Sequence, residues 1–113
     1  GGQRQCLAIA RALLWGARTI ILDEPTAALG VRETGQVLDV IRDLRNHDVS
    51  VIVVSHNMQQ LMSVADRITV MRLGRSIATR KVRDTQVSEI VGLITGAIPG
   101  DAEPEAAKLA IPA

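Results

Sequence analysis

Thr19-Ile20-Ile21-Leu22-Asp23-Glu24-Pro25 is a short apolar run that ends abruptly in two adjacent carboxylates. Its length and β-branched start predict a strand. A strand that is hydrophobic at every successive position is expected to be covered on both faces, as in a parallel sheet with helices on either side. Asp23 and Glu24 then stand at its carboxyl end, the edge at which open α/β sheets bind ligands. The pair has two readings. In one it serves a Mg²⁺-nucleotide site, with Asp23 near the metal and Glu24 near a water, because two carboxylates are costly to desolvate without a cation. In the other, Pro25 ends the ladder and the carboxylates are solvated.

Upstream, Gln3 to Trp15 carries Leu7, Ala10, Leu13 and Leu14 at the spacing of one helical face, broadened by Ala8, Ile9 and Ala12, with Gly16 as a C-cap. Gly1 and Gly2 precede this helix. Unpaired N–H groups and the positive dipole end favour an anion there, unless the two glycines are simply a loose terminus. Downstream, Val31 to His47 predicts a second helix with Val37, Leu38, Val40, Ile41 and Leu44 inward. Val49 to Val54 predicts a second strand, ending in Ser55-His56-Asn57. Strand, helix and strand make a βαβ unit with parallel strands, so His56 is delivered to the edge that holds Asp23 and Glu24.

Asn57 can cap a short helix running to about Ala65, and Arg67 to Arg72 and Arg75 to Lys81 predict a hairpin about Leu73-Gly74 with one face exposed. Thr85 to Gly96 predicts a last helix, with Val87, Ile90, Val91 and Ile94 inward. Residues 97–113 are rich in Ala, Pro and acids without a periodic face and are expected to form a disordered tail.

Composition narrows the function classes. The net charge of +1 lacks long like-charge blocks, so nothing argues for a nucleic-acid partner. A single cysteine, Cys6, excludes an internal disulfide framework and fits a reducing compartment; it reads as a small buried hydrophobe. No apolar run reaches the roughly 18 to 20 residues needed to span a bilayer, so a membrane role is expected to run through a partner. Trp15, the one aromatic, is expected to pack.

Three stretches occur in a telling order: Gly1-Gly2-Gln3-Arg4-Gln5 with Ala8-Ile9-Ala10-Arg11-Ala12-Leu13, then Ile20-Ile21-Leu22-Asp23-Glu24-Pro25-Thr26, then Val54-Ser55-His56. Together they resemble the C-terminal half of an ATP-binding cassette (ABC) transporter ATPase, in which they correspond to the signature motif, the Walker B strand and the switch histidine. The resemblance covers residues 1–96. It implies an α/β fold with a P-loop NTPase-like parallel sheet and flanking helices, as a partial domain lacking the P-loop half. No Gly-Lys dipeptide occurs, and the lysines are Lys81 and Lys108. The P-loop, the adenine-stacking aromatic, the Gln-containing loop and the Leu-Ser before Gly1 all lie upstream in the family. A chain beginning on Gly1 without Met therefore reads as a fragment that starts inside the signature. Ala27-Ala28-Leu29-Gly30 departs from the family's Ser-Ala-Leu-Asp, and Gly30 offers no carboxylate.

The resemblance further implies ATP and Mg²⁺ as cofactors, with Asp23 holding the metal through water, Glu24 orienting and deprotonating the attacking water, and His56 contacting the γ-phosphate. Gly1, Gly2 and Gln3 would face ATP bound on a second ATPase subunit of a dimer. Transmembrane permease subunits would be the other partners, on the cytoplasmic face of the inner membrane. Thr26-Ala27-Ala28-Leu29-Gly30-Val31 with Trp15-Gly16-Ala17 is most similar to bacterial importer ATPases for monosaccharides. A soluble, non-transport cassette ATPase and a non-catalytic remnant that binds a partner through the old dimer surface are the competing readings.

Overall fold

The computed structural model describes residues 2–101, which divide into two compact units, 2–64 and 65–101. The first is a βαβ unit preceded by a helix: α1 (Gly2–Leu14), β1 (Thr19–Asp23), α2 (Val31–Leu44), a 3-10 turn at Arg45–His47, β2 (Ser50–Val54) and α3 (Met58–Val64). β1 and β2 pair in parallel, from Thr19 opposite Ser50 to Asp23 opposite Val54. Both strands therefore finish at one edge, as the crossover argument requires. Past the end of α1 at Leu14, Gly16 turns the chain, with a φ of 78° that suits glycine and an amide that donates to the Leu13 carbonyl at 3.0 Å.

The core of this unit joins Ile9 of α1, Ile20 and Leu22 of β1, and Val37, Ile41 and Leu44 of α2. The expected inner face of α2 is the one that is buried. Alternation along β1 is clear-cut: Ile20 and Leu22 are covered, whereas Thr19, Ile21 and Asp23 are exposed. Ile21 pairs across the sheet with Ile52, and they are 68% and 51% exposed. The expectation of strands covered on both faces is thus corrected, because the described chain supplies helices to one face of this two-stranded sheet. α1 also departs from its expected face. Ile9 is buried with Cys6, Ala12 and Leu13 packed around it, while Leu7, Ala10 and Leu14 point to solvent. Trp15 is 81% exposed, with the Arg11 guanidinium 5.5 Å from its ring centroid, so it does not take the expected packing role.

The second unit pairs β3 (Arg67–Arg72) with β4 (Arg75–Lys81) in an antiparallel hairpin, followed by a 3-10 turn at Val82–Asp84 and α4 (Val87–Thr95). Leu73 and Gly74 both take positive φ, 51° and 77°, the backbone of a two-residue primed turn. Ile68, Val70 and Ala78 are buried on one face and Thr69 meets Thr79 on the other. α4 buries Ile90 and Leu93; Val87, Val91 and Ile94 of its expected inner face are partly exposed instead. Residues 97–101 carry definite contacts. The Ile98 amide donates to the Gly92 carbonyl at 3.0 Å, the Asp101 amide to the Ile77 carbonyl at 2.7 Å, and Arg80 holds the Asp101 carboxylate through two bonds of 2.8 and 3.0 Å. The remainder of the expected tail, 102–113, lies outside the described residues.

Candidate functional site

The carboxyl edge of β1–β2 gathers the residues singled out by sequence. The ladder runs one step past β1, since the Glu24 amide donates to the Val54 carbonyl at 2.7 Å. Glu24 then turns into the left-handed region, φ 48°, which costs a residue with a Cβ on the order of 1 kcal/mol. The turn brings its carboxylate to His56: Nδ1 lies 2.9 Å from Oε1. An ionised carboxylate can only accept, so in a bond to such a carboxylate Nδ1 is the donor and Nε2 is left outside it. The two side chains differ in exposure, 37% for Glu24 and 88% for His56, so the carboxylate is partly withdrawn and the imidazole faces solvent.

The loops around the pair are tied down by local bonds. After Pro25, the Ala27 amide donates to the Glu24 carbonyl at 3.2 Å and the Leu29 amide to the Thr26 carbonyl at 3.2 Å, closing successive turns. The Thr26 hydroxyl donates to the Gln60 side-chain oxygen on α3. Past β2, the Asn57 amide donates to Ser55 Oγ at 3.1 Å, and Asn57 Oδ1 accepts the Gln60 amide at 3.1 Å, the expected N-cap of α3. Thr26 and Gln60 were not among the residues read as functional, because their contact joins positions 34 residues apart and leaves no local signal in the sequence.

Asp23 is exposed at the end of β1. Among the described residues no group of three or more His, Cys, Asp and Glu side chains could cage a metal ion. One exposed carboxylate suits Mg²⁺, which is held by one or two carboxylates and otherwise by phosphates and water. Of the Gly-Gly-Gln start, Gly1 lies outside the described residues, Gly2 is buried and Gln3 is exposed. Gly2 closes on α2, where a Cβ built on it would lie 3.1 Å from Glu33 Cβ. No helix among the described residues is long and apolar enough to cross a membrane.

No family model matches the chain. It is 46% identical over 97 residues to the fructose import ATP-binding protein FrcA of Rhizobium meliloti, covering 86% of this chain and 37% of that protein. It is 44% identical over 95 residues to the ribose import ATP-binding protein RbsA of Bacillus licheniformis, covering 84% of this chain and 19% of that one. Among solved structures, a chain of an inward-facing ABC transporter described as metal-chelate type superposes with a TM-score of 0.73 at 27% identity, over 92% of this chain and 43% of the other. The chain belongs with the ATP-binding cassette proteins of transporters. A second solved cassette, in its ADP conformation, matches in fold, with a TM-score of 0.67 at 23% identity over 84% of this chain and 36% of the other. The chain thus spans less than half the length of each cassette protein named here, and its α/β fold with a parallel sheet and flanking helices is that of a partial cassette domain.

Proposed function

We propose that this chain forms the C-terminal part of an ATP-hydrolysing subunit that energises a membrane importer, with a monosaccharide as cargo. The observation that carries the reading is the Glu24–His56 pair at the carboxyl edge of parallel strands. The similarity to fructose and ribose import proteins supports the cargo class.

In this reading Glu24 is the general base. Its Oε1 is engaged by His56, which fixes the carboxylate, and Oε2 accepts the proton of the attacking water. His56, oriented by donating Nδ1–H to Glu24, turns Nε2 toward the transferred phosphoryl group. Asp23, exposed at the strand end, is the residue that would hold Mg²⁺. Bound Mg²⁺ supplies charge neutralisation to the phosphates. By the resemblance, the Gly-Gly-Gln stretch would face the nucleotide of a second subunit, so that chemistry awaits dimer closure, and permease subunits would receive the motion.

The P-loop donors that bind the β- and γ-phosphates are not among these residues. The 113-residue chain is therefore expected to release no phosphate above background, whereas an intact cassette carrying this sequence is expected to turn over ATP with Mg²⁺. Phosphate release from the two proteins tests the reading. Steady Mg²⁺-dependent turnover by the 113-residue chain would contradict it, and so would an inert intact cassette that binds ATP and dimerises.

A further inference from the structure

Two glycines from different elements close on one side chain. Gly2, in the first turn of α1, is buried, and a Cβ on it would lie 3.1 Å from Cβ and 3.4 Å from the backbone oxygen of Glu33. A Cβ on Gly30 would lie 2.7 Å from Glu33 Oε2. Glu33 thus has its stem against the start of α1 and its carboxylate over the end of the loop 26–30. The other end of that loop is fastened to the candidate site, through the Ala27 amide on the Glu24 carbonyl and the Thr26 hydroxyl on Gln60. The cassette pattern that this loop resembles ends in Asp, whereas Gly30 has no side chain and the Glu33 carboxylate stands where one would begin.

We infer that Glu33 supplies the carboxylate of this loop and is a positioning residue, holding the loop 26–30 in register with the Gly-Gly-Gln start of α1. The inference rests on the cassette reading above. Glu33 also lies in the first turn of α2, where any acid is favoured by the helix dipole, so its two roles must be separated. Asp at position 33 keeps the dipole interaction but is one methylene too short to cover Gly30. Asp at position 30 restores a carboxylate to the loop from the backbone itself, and Asn there caps α2 comparably without the charge.

The test is steady-state ATP turnover by the intact cassette, with thermal midpoints recorded for every variant. Glu33→Gln and Glu33→Asp should each lower kcat about tenfold while KM for ATP stays within about twofold. Gly30→Asp alone should also lower kcat, because its new carboxylate meets that of Glu33. The double variant Gly30→Asp/Glu33→Gln should return to within about threefold of the parent, and Gly30→Asn/Glu33→Gln should stay low. Unchanged kcat in Glu33→Gln overturns the inference. So does equal recovery with Asn and Asp, or a kcat that merely follows the thermal midpoint, since either makes Glu33 a structural residue of α2. Failure of the cassette reading looks different, because turnover in the parent would then survive Glu24→Gln.

Discussion

The Nδ1 atom of His56 lies 2.9 Å from Oε1 of Glu24, across 32 residues of sequence. Two features bring them together: the parallel register that sets Asp23 opposite Val54, and the left-handed turn at Glu24 that swings its side chain across the strand ends. The partners differ in substitutability. His56 acts through the bond it donates and the nitrogen it leaves free, and Glu24 through the oxygen outside that bond.

Removal of the imidazole frees Glu24 Oε1 and takes away Nε2. In the intact cassette, His56→Ala is expected to lower kcat by on the order of 10²-fold with ATP affinity within a few-fold of the parent. Pre-steady-state phosphate release with parallel nucleotide-binding titrations measures both. Unaltered turnover would remove His56 from the mechanism.

The exposed pair Ile21 and Ile52 makes an apolar surface on a two-stranded sheet, and open sheet faces and edges promote association. The 113-residue chain is expected to sediment as associated species, and Ile21→Lys/Ile52→Lys to shift it toward monomer. Leu22→Ala, on the covered face, should instead cost about 2–5 kcal/mol in denaturant unfolding. A monodisperse parent would contradict the first expectation; equal stability losses at positions 21 and 22 would contradict the second.

Alternation in a strand states which residues share a face, not what lies over it. This is why β1, β2 and the hairpin were legible to within a residue, and the converging of Glu24 and His56 with them, while the exposure of Ile21 and Ile52 was not. α1 shows the same limit. Leu7 and Leu14 share one helical face, but the opposite stripe, Ile9 flanked by Cys6, Ala12 and Leu13, is the one that meets α2 and the sheet. In α4, Leu93 lies between Ile90 and Ile94 in sequence, and the hairpin's buried Ile68 and Val70 accompany Leu93 into the core instead of the expected Ile94. Glu33 left no signal beyond its three-residue spacing from Gly30, since its role depends on a glycine in another element.

Asp101 offers a pH-dependent contact. The hydrogen bonds from Arg80, aided by its charge, hold the Asp101 carboxyl below the ordinary 3.8, against a smaller opposing effect of desolvation. A carboxyl depressed in the folded state stabilises above its unfolded pKa, and that contribution is lost as pH falls through the folded value. Acid unfolding of Asp101→Asn should therefore show a shallower loss of stability below about pH 4 than the parent, followed by circular dichroism. Parallel acid profiles would show that the Arg80 contact is not formed in solution.

The most direct measurement separates binding from chemistry at Glu24. In the intact cassette, Glu24→Gln keeps the side chain's shape and can still accept a bond from His56, but its amide cannot take the proton of a water. Nucleotide-binding titrations and single-turnover hydrolysis on the same preparation are expected to show ATP affinity within a few-fold of the parent, hydrolysis slowed by on the order of 10³-fold, and a longer-lived ATP-bound dimer. Equal loss of binding and hydrolysis, or hydrolysis at the parent's rate, would contradict the assignment of Glu24 as the base.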